Sequence, residues 1–103
     1  MRMIKKLSEE IKHNIHEARE KIEIAYRLRD TDRAAADWYR QMAAAHIDFN
    51  SVGHAAVARL ITEARAEHAN DPLLPGMIAV YDEMHAEVVK DSAEVSAMIA
   101  AYK

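Results

Sequence analysis

The apolar positions of the chain fall into three runs of helical spacing. The first places Ile4, Leu7, Ile11, Ile15, Ala18, Ile22, Ala25 and Leu28 three or four residues apart. Such spacing makes one seam of an amphipathic helix, over about residues 2–29. The second run, about 32–69, carries two apolar rows. One is Ala35, Trp38, Met42, Ala45, Phe49, Val52, Ala56 and Leu60, and the other is Ala43, Ile47, Val57, Ile61 and Ala64. Together they cover well over half the circumference, more than the single face a surface helix buries. The third run, about 75–101, has its seam at Ile78, Tyr81, His85, Val88, Ser92, Val95, Ile99 and Tyr102. The pattern predicts an all-α fold of three long antiparallel helices with an extended central helix, in one helical-bundle domain of residues 1–103.

The breaks between the runs fit this division. Asp30-Thr31-Asp32 is short and polar, and it offers two N-cap residue types, Thr31 and Asp32. A connection of that length makes the first two helices antiparallel neighbours. Asn70-Asp71-Pro72 ends the middle helix, because a residue before proline is pushed out of helical conformation. Leu73 and Leu74 are expected to tuck against the bundle end, and Pro75 stands where a first-turn proline is tolerated. The sequence leaves open whether the middle helix runs straight through Gly53, its one residue of very low helix propensity.

At about 1.5 Å per residue the middle helix is on the order of 55 Å long and its neighbours nearer 40 Å. Folded back from their connections, helix one covers the first two-thirds of it and helix three the last two-thirds. They overlap around residues 42–58 and leave each end short of a neighbour. Three helices cannot close over both apolar rows, and Ala44, Ala55, Ala58 and Ala66 permit close approach on the remaining side. The expectation is self-association, most simply a two-fold homodimer that completes the bundle. The alternative is a monomeric three-helix bundle with the middle helix kinked near Gly53.

Composition narrows the function. In 103 residues there are only two glycines and two prolines, which favours helix. A formal net charge of −3 argues against nucleic acid as the main partner, since phosphate binding needs a basic face. Cysteine is absent, which removes disulfides, thiolate zinc sites and cysteine nucleophiles. No apolar run approaches the roughly 20 residues of a membrane span, and no secretory apolar core opens the chain. A soluble, cytoplasmic protein without a membrane partner is the expectation. There is no glycine-rich phosphate loop, nucleophile elbow or His-Glu-x-x-His element. Ser8, Ser51, Ser92 and Ser96 all fall within predicted helices, so nucleophilic catalysis has no support and the reading leans away from an enzyme.

Histidine is the residue type that carries possible chemistry, with six in the chain. His46, Asn50 and His54 follow one another at intervals of four and form a polar ribbon within the apolar arc of the middle helix. His85 lies on the seam of helix three, and Asp82 stands three residues before it. Neutral imidazole is a common transition-metal ligand, and sites in bundles are built from facing helices. His46, His54, Asp82 and His85 are therefore candidate metal ligands for iron, manganese or zinc between helices two and three. Antiparallel pairing sets His85 opposite Leu60 or Ile61, about 9 Å along the axis from His54. The competing reading makes the histidines packing groups that bond a carbonyl or a facing serine, Ser92 for His85. His13 with Glu17, and His16 with Glu20, read as surface pairs. Trp38 and Tyr39, with Tyr26 and Tyr102, read as core anchors before an exposed partner site.

The Asp82-x-x-His85 element resembles the Glu-x-x-His elements of ferritin-like carboxylate proteins, four-helix bundles that bind two iron or manganese ions. With Met42-Ala43 and His54, it also resembles small helical proteins of prophage origin. The resemblance implies a metal site in the bundle core. The chain departs from that pattern in three ways. The core face of helix one has no carboxylate, helix two has no Glu-x-x-His, and Asp82 replaces the usual Glu. Three functional readings follow. The first is a non-catalytic assembly protein acting as a homo-oligomer or by docking a partner helix. The second is a ferritin-like or histidine-based metal binder, and the third an interface that responds to protonation of His46, His54 and His85.

Overall fold

The computed structural model describes residues 2–103. Its helices are α1 (Arg2–Leu28), α2 (Arg33–Glu67) and α3 (Leu74–Ala101), and no strand occurs among the described residues. They form an extended rod with principal extents of 59 × 17 × 17 Å. The seam of α1 is the centre of the core. Ile4, Ile11, Ile15, Ala18, Ile22 and Ala25 are all buried, with Ser8 between them. The one-faced stripe of α1 thus packs against both other helices, as its periodicity requires.

Asp32 caps α2, its Oδ1 accepting from the Ala35 N–H at 3.1 Å. That bond satisfies one of the amide donors a helix start leaves free. The chain leaves α2 at Glu67, about two residues before the expected end, and residues 68–73 form the second connection. There Asp71 Oδ1 accepts from the Leu73 N–H at 2.9 Å. Of the two leucines expected at the bundle end, Leu74 is buried and Leu73 is 70% exposed. Adjacent residues at a helix start point about 100° apart, so both cannot face one core.

α1 and α3 run parallel to each other and antiparallel to α2. Arg19 pairs with Glu94 at 3.2 Å. The Tyr26 hydroxyl donates to the Met98 carbonyl at 2.8 Å, and the Tyr26 and Tyr102 rings meet edge-on at 5.4 Å. Arg33, the first residue of α2, places its guanidinium 5.6 Å from the Tyr102 ring centroid and donates to the Lys103 carbonyl at 3.4 Å. At the other end Ile4 shares a groove with Leu60, Ala64 and Leu74. Both ends of α2 therefore have neighbours, which corrects the expectation of uncovered ends. The earlier end of α2 moves the fold-back point, and long side chains such as Arg33 span the remaining distance.

What the chain leaves uncovered is a face. The inward row of α2 is Ala36, Ala43, Asn50, Val57 and Ile61, all buried. In the outward row Trp38 is 54% exposed, Phe49 62% and Val52 68%. Trp38 is thus not a core anchor. It stacks edge-on with Tyr39 at 5.0 Å, while Tyr26 and Tyr102 make the inter-helix aromatic contact. α2 is helical through Gly53 without interruption. A Cβ added at Gly53 would stand 2.9 Å from Ile11 Cγ1. The glycine serves close helix approach, not a break.

Candidate functional site

The polar ribbon of α2 lies over the inward row and divides between two neighbours. His46 faces α1, where its Nδ1–H donates to Asn14 Oδ1 at 2.9 Å. Asn50, one turn on, donates from Nδ2 to the Ile11 carbonyl at 3.2 Å. His54, a further turn on, faces α3 and sets its Nδ1 3.4 Å from His85 Nδ1. The two rings meet edge to face, with centroids 4.9 Å apart and planes at 78°. A step of four residues overshoots a helical turn by about 40°, so two steps carry the ribbon by about 80°. That drift moves it from the α1 side to the α3 side.

Sequence spacing sets His85 opposite Leu60 or Ile61, but the structure puts it beside His54. With α2 ending at Glu67 and α3 starting at Leu74, reflection about the middle of the connection brings His85 level with residue 56. Side-chain reach closes the remaining two residues, about 3 Å of rise.

Of the four candidate ligands, the structure brings two together. His54 and His85 meet, His46 is engaged by Asn14, and Asp82 stands 4.0 Å from Arg65 with both side chains 60% exposed. No group of three or more His, Asp or Glu side chains gathers for a metal ion among the described residues. A ferritin-like site needs carboxylates aimed into the core, whereas Asp82 points to the groove it shares with Thr62, Arg65 and His85. His85 finds His54 as its partner.

Burial lowers the pKa of His46; Lys21 and His13 add to the lowering, and Glu17 opposes it. Burial also lowers that of His54, helped by the neighbouring His85. Both rings are therefore held toward the neutral form, which can donate from one nitrogen and accept or ligate with the other. On α1, His13 and Glu17 stand 3.9 Å apart, and His16 and Glu20 3.5 Å, on the exposed face expected for them.

Two features add to the sequence reading, and the first was within its reach. The Asn14–His46 bond lies within reach of the same fold-back reasoning, since reflection about the 29–32 turn sets Asn14 opposite residue 47. The outward position of Trp38, Phe49 and Val52 had only the two-row pattern as its signal. Among the described residues, no helix is long and apolar enough to cross a membrane. Compared with family models, with curated proteins and with solved structures, the chain matches none of them.

Proposed function

We propose that this chain is a non-catalytic helical-bundle protein that works by associating with a second copy of itself through the outward row of α2. The observation that carries the reading is a repeat. Trp38, Met42, Ala45, Phe49, Val52 and Ala56 alternate at intervals of four and three, the spacing of a coiled-coil seam. Trp38, Phe49 and Val52 are mostly exposed. Large contiguous apolar patches on a surface mark sites of association. The helix is already formed and braced by α1 and α3, so pairing orders little new backbone.

The sizes along the row favour a like partner. Antiparallel pairing about a dyad near Ile47 sets Trp38 against Ala56 of the second copy, Phe49 against Ala45, and Met42 against Val52. Each large side chain then meets a smaller one, as dense packing requires. Asp48, one residue from the dyad, lies near Asp48 of the second copy at the exposed rim, where solvent and salt screen the repulsion.

Sedimentation velocity on the full chain across micromolar concentrations tests this. The expected result is a dimer that Phe49→Glu or Val52→Glu converts to a monomer with unchanged far-ultraviolet helicity. A wild-type chain that stays monomeric throughout that range would sink the reading.

A further inference from the structure

We propose that His54 and His85 form a two-histidine chelate for a tetrahedral divalent cation, zinc(II) foremost, which clamps α2 to α3. The separation of their nitrogens carries the assignment. Two imidazole nitrogens bonded to zinc at about 2.0–2.1 Å and a tetrahedral angle stand about 3.3–3.4 Å apart. The Nδ1 atoms of His54 and His85 stand 3.4 Å apart. An octahedral ion such as magnesium or manganese, with bonds near a right angle, draws two donors to about 3 Å and takes oxygen before nitrogen. The spacing is compatible with a tetrahedral ion, and two imidazole donors with no carboxylate suit zinc(II) better than magnesium or manganese.

The site is prepared in two further respects. Each histidine is fixed by a helix, and the two helices are packed at Val57 and Val88, which line the same small cavity as His85. Both rings are partly shielded from solvent. Because no third His, Asp or Glu gathers there among the described residues, the chain supplies two ligands and water completes the shell. His54 follows Val52 by two positions and faces α3, away from the outward row. Metal binding is thus independent of self-association.

The test is zinc titration of untagged full-length chain by calorimetry, paired with thermal unfolding. The expected result is one zinc per chain and a rise in Tm of roughly 10–20 °C when free zinc exceeds Kd about a hundredfold. His54→Ala and His85→Ala should each abolish both. His54→Gln and His85→Gln serve if the alanine variants lose helicity. His13→Ala and His16→Ala, which remove an exposed histidine pair on α1, should leave binding intact. Cobalt(II) should show the intense visible band of a tetrahedral ion, and magnesium should give no Tm shift. Absence of zinc binding, or zinc binding that survives loss of His54 or His85, overturns the proposal. Repeating the titration on Phe49→Glu separates this result from that of the dimer.

Discussion

The carboxamide of Asn50 on α2 donates to the main-chain carbonyl of Ile11 on α1 at 3.2 Å, where Asn50 is only 1% exposed. A carbonyl oxygen has two lone pairs, so it can serve its own helix and this bond together. One turn further along α2, the backbone at Gly53 rests against the Ile11 side chain. These two contacts set the level of α1 on α2. The amide is only half satisfied, since Asn50 Oδ1 is buried without a hydrogen-bond partner among the described residues. Asn50 therefore specifies register at some cost in stability, a role best attested for polar residues in coiled-coil seams.

Asn50→Leu should accordingly raise stability by about 1 kcal/mol, because an apolar group of similar size replaces an unsatisfied one. Asn50→Asp should lower it by about 3 kcal/mol at pH 7, since a buried carboxylate would face the Ile11 carbonyl. Urea unfolding followed by circular dichroism measures both. A loss of more than about 2 kcal/mol in Asn50→Leu would show that the hydrogen bond outweighs the unpaired oxygen.

The two glycines give opposite predictions for the same substitution. Alanine in place of a helical glycine gains roughly 0.5–1 kcal/mol from propensity. At Gly76 nothing lies within 4 Å of an added Cβ, so Gly76→Ala should stabilise by about that amount. At Gly53 the Cβ would stand 2.9 Å from Cγ1 of buried Ile11. A β-branched side chain in a helix has little rotamer freedom to yield. Overpacking of about 1–3 kcal/mol should exceed the propensity gain, and Gly53→Ala should lower Tm. Thermal scans of the two variants side by side decide the point; a stabilised Gly53→Ala would mean that the helices separate cheaply.

Tyr26 closes the far end of α3. Met98 belongs to its last turn, whose carbonyls lack partners within the helix, and the Tyr26 hydroxyl donates to the Met98 carbonyl at 2.8 Å. Tyr26→Phe keeps the ring against Tyr102 and removes only that bond. The expected loss is about 1 kcal/mol, with faster hydrogen exchange in the last turn of α3. Unchanged exchange there would place the helix end under the control of the aromatic contact alone.

His46 and His54 give the fold a defined pH dependence. Burial is the leading cause of the lowered pKa in each, with Lys21 and His13 adding and Glu17 opposing at His46, and His85 adding at His54. With folded values below the ordinary 6.5, the unfolded chain binds more protons between the two. The associated stability is complete above about pH 6.5, the unfolded value, and is lost as pH falls through the lowered folded values. Urea midpoints should be flat from pH 8 to 7 and lower at pH 5.5. The double variant His46→Gln, His54→Gln should lose most of that slope. A midpoint that holds or rises on acidification to pH 5.5 would contradict this assignment. The lowered pKa of Glu17, caused first by its hydrogen bond with Lys21, acts in a separate window below that of the histidines.

The sequence by itself determined the three helices, a cap at Thr31 or Asp32 and the core seams of α1 and α3, because these follow from local periodicity and backbone chemistry. It also determined that α2 carries more apolar surface than one neighbour can cover. Tertiary structure decided which row turned inward, since that depends on where α1 and α3 settle around α2. It decided the coverage of both ends of α2, which rests on reach by Arg33, Tyr102 and Ile4. The site divides in the same way. The chemistry of His46, Asn50, His54 and His85 was legible from residue type and spacing. Their partners were not, because a six-residue connection sets the axial level of α3. A shift of two residues there moves a side chain by about 3 Å, enough to make or break the meeting of His54 and His85.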